Sequence, residues 1–129
     1  MAIKVTNIPK RLAETLVIDT ASDTTASGSG ANIFTGTTKA SKFYCWKIDA
    51  SAVGSAVYVK VQQATSYTLG NNPDWRFYCP ANSTCYYIFP DGQAFSTGIS
   101  FISTTTAASS ANSQTDPAAA VTVTVLGGT

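Results

Sequence analysis

The amino-acid sequence predicts an all-β protein, a single jelly-roll-like β-sandwich of seven to eight short antiparallel strands. Short segments rich in valine, isoleucine and aromatic residues recur along the chain with turn residues between them, which is typical of a sandwich or a barrel. No stretch carries apolar residues at a helical period over more than about one turn. The length of 129 residues fits one domain. We therefore expect a β-sandwich domain over residues 15–129, preceded by an extended N-terminal arm over residues 1–14.

Eight segments have the composition of strands. In chain order they are TLVIDT (15–20), NIF (32–34), KFYCWKI (42–48), AVYVKVQQA (56–64), DWRFYC (74–79), TCYYIF (84–89), GISFIST (98–104) and AVTVTVL (120–126). The first two are short apolar segments, the third and sixth are rich in aromatic residues, and the fifth and sixth flank the turn PANS. In the fourth, Val57, Val59 and Val61 alternate with more polar neighbours, which is the period of a half-buried strand.

Aromatic side chains crowd the middle of the sequence. In the third strand, alternation places Tyr44, Trp46 and Ile48 on one face, and Phe43 and Cys45 on the other. Both faces are then apolar, although a sandwich needs to bury only one face of each sheet. A second apolar face indicates packing against another subunit.

Two further rings are candidates for binding. We expect Tyr67 and Trp75 at an assembly interface or, in the alternative, stacked against a sugar.

The segment FPDGQAFSTG (89–98) is predicted to be a supporting turn between two strands. Its structural residues are Phe89, Pro90, Asp91, Gly92, Phe95 and Gly98. Proline sets one backbone dihedral of a tight turn, and glycine accepts a positive one. The two phenylalanines flank the turn and anchor it in the core. The second glycine permits a bulge or a close backbone approach where the next strand begins.

The N-terminal arm is expected to be an assembly element. It is polar, Pro9 interrupts it, and its apolar residues have no evident partner within the domain. These residues are Ile3, Val5, Ile8 and Leu12. Segments 20–31 and 103–119 are rich in serine, threonine, glycine and alanine, as linkers are. We expect loops 65–74 and 103–119 to be displayed at the edge of the domain and, with the arm, to contact a partner.

The residue types argue against catalysis. Histidine is absent, so the chain holds no Ser-His or Cys-His pair. Each of the seven acids lies beside a turn signal or a predicted strand end, where a carboxylate bonds its own backbone. A structural zinc site would lack its usual ligands, because there is no CxxC pair either. We therefore expect no enzymatic activity, no cofactor and no metal.

The three cysteines are expected to be free thiols. Cys79 and Cys85 flank CPANSTC, a strand-turn-strand in which they could face each other, and Cys45 is left over. Disulfides rarely persist in a reducing cytoplasm, and buried thiols behave as small hydrophobic side chains.

Charge and hydropathy argue against two classes of partner. The net charge is +1, only 12% of the residues are charged, and the eight basic residues are scattered along the chain. Nucleic-acid binding by a basic patch requires clustered lysine and arginine, so we expect no nucleic-acid partner. No apolar run is long enough to cross a bilayer, so we expect no membrane partner.

The run from residue 56 to 126 resembles small structural proteins of tailed-bacteriophage virions. The shared pattern is a strand like AVYVKV, an arm like TLGNNPDW, a loop like PANST and a strand that ends in FPDG. AFSTGIS, a stretch rich in small residues and a valine-rich last strand follow. The most specific part is FPDG (89–92) with FSTG (95–98). Cys79 and Cys85 depart from the pattern, because small or aliphatic residues are expected there.

The resemblance implies a place in the virion, since these proteins look like β-sandwich or jelly-roll modules, some of which decorate capsids. We expect a non-enzymatic decoration (cement) protein on the outer capsid surface, assembled in the cytoplasm of a bacterial host. It would bridge neighbouring subunits of the major capsid protein and self-associate, with a trimer favoured. The alternative is a carbohydrate- or receptor-binding module of a head or tail fibre, whose partner is a surface glycan. A component of the head-tail connector is a third possibility.

Overall fold

The computed structural model describes residues 16–23, 30–35, 39–108 and 113–129, which form eight antiparallel strands and no helix. The strands are β1 (Leu16–Asp23), β2 (Ala31–Ile33), β3 (Lys42–Ala50), β4 (Val57–Gln62), β5 (Trp75–Cys79), β6 (Ser83–Ala94), β7 (Ile99–Thr104) and β8 (Val121–Gly128). The prediction of an all-β fold with up to eight antiparallel strands is confirmed. The proposed arm, with Ile3, Val5, Ile8 and Leu12, lies outside the described residues.

The strands form two four-stranded sheets that pack face to face. Sheet A has the order β1-β8-β3-β6, and sheet B has the order β2-β7-β4-β5. The pairing is nested, because β4 pairs with β5, β3 with β6, β2 with β7, and β1 with β8. The chain therefore follows the path of one long antiparallel hairpin folded over on itself. Only the β4–β5 connection stays within one sheet, and every other connection crosses between the sheets.

The core lies between the two sheets and has an aromatic centre. Phe43 is fully buried and makes edge-on contacts with Trp46, Trp75 and Phe89, at centroid distances of 5.6, 5.0 and 5.2 Å. Phe95 stacks on the same ring at 6.2 Å. Such pairs add stabilisation beyond the burial of their area. Phe43 therefore joins side chains from both sheets and from the segment after β6.

The position of Phe43 corrects the prediction from strict alternation. Phe43 and Trp46 share the core face, although alternation placed them on opposite faces. The register of β3 against β8 shifts between Phe43 and Cys45, where two consecutive residues of β8 face them. Tyr44 is thus the extra residue of a β-bulge, and a bulge reverses which side chains point inward. Cys45 then points outward, and Trp46 and Ile48 point into the core.

The segment 89–92 is also different from its prediction, because β6 does not end there. The strand runs on to Ala94, and both Ile88 and Gln93 pair with β3. Between these pairs, four residues of β6 face the single residue Tyr44. The predicted turn between strands is therefore a large bulge within one strand. A bulge also explains how a proline is accommodated at position 90, since residues of a bulge leave the hydrogen-bond ladder.

The two phenylalanines around the bulge of β6 pack into the core, as the sequence predicted. Phe89 and Phe95 pack against the core cluster, and Phe95 also stacks on Phe34 at 5.8 Å. Gly92 has φ +80° and Gly98 has φ +155°, values that favour glycine. A Cβ atom at Gly98, which directly precedes β7, would lie 3.5 Å from the nearest backbone oxygen, an ordinary contact distance. The backbone dihedral of Gly98, rather than a close approach, therefore accounts for the glycine.

Two carboxylates join the edge strand β1 to sheet B. Asp19 Oδ2 accepts a hydrogen bond from the Phe34 N–H at 2.7 Å, and Asp23 Oδ2 accepts one from the Ser103 N–H at 2.7 Å. Both acids lie on the inner side of β1, and besides this long-range bond Asp19 has the local role expected of the acids, since its Oδ1 accepts a hydrogen bond from the Thr20 N–H at 2.9 Å. Asp49 has that role, since it accepts hydrogen bonds from the Ser51 N–H and hydroxyl.

The outer face of sheet B is covered by the chain itself. Lys60 is fully buried there, and its ammonium group donates to Gln114 Oε1 at 2.9 Å and to the Ala108 carbonyl. Arg76 Nη1 donates to the Ala107 carbonyl at 2.9 Å. We call residues 105–108 and 113–120 the strap. The strap packs on sheet B, while most of its residues remain exposed to solvent, and the partner contact expected of segment 103–119 stays a prediction.

Loop 65–74 also packs down instead of projecting. The Gln62 side-chain amide donates to the Thr68 carbonyl at 3.0 Å, and the Thr68 N–H donates to Gln62 Oε1 at 2.9 Å. This reciprocal pair holds the loop against the outer face of sheet B, and Tyr67 is only 4% exposed. Tyr67, which was expected at an assembly interface or against a sugar, is therefore covered by its own loop in this chain.

Buried thiols and phenols predict that stability falls as the pH rises above about 9. Burial, and then the neighbouring Cys85 thiol, raises the pKa of Cys79 from 9.0 to about 12. Burial also raises the pKa of Cys45, Tyr67 and Tyr87. The unfolded chain loses these protons first, so unfolding is favoured between the unfolded and the folded pKa. Lys60 opposes this trend below about pH 10.5, because burial lowers its pKa.

Urea unfolding in the presence of reductant tests this prediction. The midpoint should fall between pH 9 and pH 11, and Cys79→Ala should show a weaker dependence because one titrating group is gone. A midpoint that stays constant or rises over this interval would contradict the assignment.

Candidate interaction surface

The outer face of sheet A is open and carries an apolar row across all four strands. The ladder register places Ile18 opposite Leu126, Leu126 opposite Cys45, and Cys45 opposite Ile88. Ile18 is 66% exposed and Ile88 is 70% exposed. Four adjacent strands span roughly 14 Å. We call these four residues the apolar row, and Leu16, 44% exposed, extends it along β1.

The rest of this face is polar and carries the charged side chains of Lys42, Lys47 and Asp49. The next row consists of Thr20, Thr124, Lys47 and Tyr86, and the row beyond it consists of Ser22, Thr122, Asp49 and Thr84. Two hydroxyl pairs bond across the strands, Thr20 with Thr124 at 3.2 Å and Ser22 with Thr122 at 2.8 Å. In each pair one hydroxyl donates and the other accepts, so one O–H of each pair stays available to a partner.

Two of the titratable groups on this face, Cys45 and Asp49, differ in charge. Burial raises the pKa of Cys45, so the apolar row stays neutral at physiological pH. At the other end, hydrogen bonds from the Ser51 hydroxyl and N–H lower the pKa of Asp49, which stays ionised. A partner would therefore meet apolar side chains at one end of the face and a carboxylate at the other.

The rings selected from the sequence do not belong to this surface. Tyr67 is buried beneath its own loop on sheet B, and Trp75 is partly buried against Phe43. The exposed rings are Tyr86 on the outer face of sheet A, 60% exposed, and Tyr78 on β5, 45% exposed. The correction has a physical cause: the loop around Tyr67 is held by Gln62, and this pairing has no local sequence signal.

The sequence did contain a weak signal for the apolar row. The predicted first strand has apolar residues at Leu16, Val17 and Ile18, so an apolar side chain must point outward whichever face is buried. The predicted sixth strand raises the same problem at Ile88. What the sequence lacks is the register that brings these residues into one row.

A cleft of about 270 Å³ with a mostly apolar lining is a second feature of the described residues. It is lined by Asn32, Ile33, Phe34, Thr35, Lys39, Thr65, Thr97, Gly98 and Ile99. Its hydroxyl, amide and ammonium groups could bond a polar ligand. The one aromatic residue in this lining, Phe34, is only 6% exposed, so the cleft offers no open ring face for sugar stacking.

Two other classes of site are absent from the described ranges. No group of three or more cysteine, aspartate or glutamate side chains is placed to hold a metal ion among these residues. The same residues contain no helix that is long and apolar enough to span a membrane.

Within the described residues, the geometry is therefore that of a sandwich with one outer face covered by the strap and the other face open. Comparison with family models, curated proteins and solved structures gives no match for this chain.

Proposed function

We propose that this protein is a non-enzymatic structural protein of a bacteriophage virion, a decoration protein that binds the outer surface of the capsid. The resemblance over residues 56–126 supports this proposal. So does the nested strand pairing, which is compatible with the jelly-roll form that the resemblance implies. The protein would bridge neighbouring subunits of the major capsid protein, with copies arranged as trimers.

The contrast between the two outer faces is the observation that carries the proposal. Sheet B buries Lys60 and Ile102 under the chain's own loops, whereas sheet A leaves Ile18 and Ile88 about two-thirds exposed. Contiguous exposed apolar residues with a polar surround mark interaction sites. The open face of sheet A is thus the surface that we assign to the capsid.

The apolar row is suited to a contact that is weak for one copy of the protein but stabilises the capsid when many copies bind. Burying an isoleucine side chain fully contributes about 1.5–3 kcal/mol, so each isoleucine of the row would contribute about 1–2 kcal/mol on contact. One copy then binds with modest affinity, but the binding free energies of many copies on one capsid add up. Each bridge must be lost before the shell can rupture, which is how a decoration protein stabilises a head.

The two rings assigned to the glycan-binding alternative support it less than exposed rings would. Tyr67 is buried, and Trp75 is partly buried and contacts Phe43. Tyr86 and Tyr78 are the exposed rings that remain for this function.

A double charge substitution tests the proposal. Ile18→Glu with Ile88→Glu should lower the affinity for capsids assembled without this protein by at least about tenfold, because two carboxylates would have to be desolvated. Both positions are exposed, so the melting temperature should change little. Co-sedimentation of the purified variant with such capsids measures the effect.

A matched control carries the same charges elsewhere. Ala52→Glu with Ala118→Glu places two carboxylates at exposed positions away from the outer face of sheet A, and it should bind as the parent protein does. Equal binding by both double variants would remove the apolar row from the interface. If adsorption to the host is lost while capsid stability is unchanged, the receptor-binding alternative replaces the decoration role.

A further inference from the structure

Two of the three cysteines face each other across the core at one end of the sandwich. Cys79 is the last residue of β5 and lies in sheet B, and Cys85 is the third residue of β6 and lies in sheet A. Both belong to the inner faces, since Cys79 is fully buried in the core and Cys85 packs against it. Only residues 80–82 separate the two strands.

The sulfur of Cys79 reaches the backbone beside Cys85. Cys79 Sγ lies 3.4 Å from the Ser83 carbonyl oxygen and 3.9 Å from the Ile48 carbonyl oxygen. Ile48 is the residue of β3 that pairs with Cys85 in the ladder. The thiol of Cys85 also raises the pKa of Cys79, so the two sulfurs are within interaction range.

The third cysteine cannot take part. Cys45 belongs to the apolar row on the outer face of sheet A, whereas Cys79 and Cys85 point into the sandwich. The sheet itself separates Cys45 from the other two side chains. All three are free thiols in the structure.

We propose that Cys79 and Cys85 are a redox pair that forms a disulfide between the two sheets when the protein meets a small-molecule disulfide such as oxidised glutathione. This inference is independent of the proposed function. A chain that folds in a reducing compartment and is later exposed to an oxidising one would then acquire a covalent link between β5 and β6.

The chemistry proceeds by two thiol–disulfide exchanges. The thiolate of Cys85, the more accessible of the two, attacks one sulfur of oxidised glutathione and releases one glutathione thiolate. The thiolate of Cys79 then attacks the Cys85 sulfur of the mixed disulfide and releases the second. Each cysteine gives up one proton, and two electrons pass from the pair to the oxidant.

The burial of Cys79 makes the second exchange slow. In the mixed disulfide the Cys85 thiol no longer acts on Cys79, but burial, the largest cause, still raises the pKa of Cys79 and leaves little thiolate at neutral pH. The rate of bridge formation should therefore increase by up to about tenfold per pH unit between pH 7 and pH 9, since the thiolate fraction rises in that proportion.

Mass spectrometry of the native protein tests the inference. After incubation with oxidised glutathione, the protein is denatured, alkylated and digested without reduction. We expect a linkage between Cys79 and Cys85 with the loss of two hydrogen atoms. Cys45→Ser should form it equally well, and its melting temperature should rise on oxidation, whereas Cys45→Ser with Cys79→Ala should show no such rise.

Three outcomes would overturn the inference. One is a mixed disulfide at Cys85 that persists without resolution in the native protein. Another is a bridge that forms only after denaturation. The third is a melting temperature of Cys45→Ser that falls when the bridge has formed, which would show that the native geometry does not accommodate it.

Discussion

Replacing Phe43 with alanine should lower the free energy of unfolding by about 3–5 kcal/mol, a large part of the ~5–15 kcal/mol that stabilises a small domain. The ring is fully buried and contacts Trp46, Trp75, Phe89 and Phe95. Its loss would leave a cavity among rigid rings that cannot easily collapse into it. Urea unfolding followed by tryptophan fluorescence measures the change, because both tryptophans contact this ring.

The matched control is an aromatic residue outside the core. Tyr86 is 60% exposed on the outer face of sheet A, and Tyr86→Ala should change the free energy of unfolding by less than about 0.5 kcal/mol. A loss of less than about 1.5 kcal/mol for Phe43→Ala would contradict the central position of this ring. Even substitutions that conserve side-chain volume in a core cost up to about that much, and Phe43→Ala removes a whole ring.

Among the glycines in and after the bulge of β6, Gly92 should lower the free energy of unfolding most when it is replaced by alanine. Gly92 has φ +80°, a conformation that costs a residue with a Cβ atom about 1–2 kcal/mol. A Cβ atom there would lie 2.7 Å from Cε1 of Tyr44, which is itself buried. Overpacking of this kind costs about 1–3 kcal/mol, so the sum is about 2–5 kcal/mol.

Gly54→Ala is the control for this prediction. A Cβ atom at Gly54 would meet nothing within 4 Å, and its φ is not in the left-handed region. The substitution should be neutral or stabilising by up to about 1 kcal/mol, because alanine restricts the unfolded chain. Thermal and urea unfolding of the two variants measure the difference. Equal effects would show that the bulge tolerates a side chain at position 92.

The strands could be predicted because their signals are local. Period-two alternation, as in Val57, Val59 and Val61, and runs of aromatic residues depend only on neighbours in the sequence. The positive φ of Gly92 was predicted on the same basis. The sequence did not show that Gly92 lies in a bulge rather than a turn, because both features use the same residues. They differ in whether the chain pairs again with the same neighbouring strand, as β6 does with β3.

The surface could not be predicted for a related reason. The bulge at Tyr44 changes the side to which Phe43 points relative to the rest of β3, and a shift of one residue reverses every later side chain. The outward position of Ile88 depends on that register. Likewise, the burial of Tyr67 and Lys60 depends on loops that return from distant parts of the chain.

The nested pairing of the strands has a consequence for the order in which the molecule assembles. The β4–β5 hairpin closes locally, but each further pair of strands joins residues that lie farther apart, up to Leu16 and Gly128. Folds dominated by such distant pairings fold in roughly milliseconds to seconds. If strand pairing proceeds outward from this hairpin, β1 docks last. It is then held by β8 and by the carboxylates of Asp19 and Asp23. Ile18 then reaches the apolar row only in the final step, so an incompletely folded copy cannot present the surface and is excluded from any assembly that requires it.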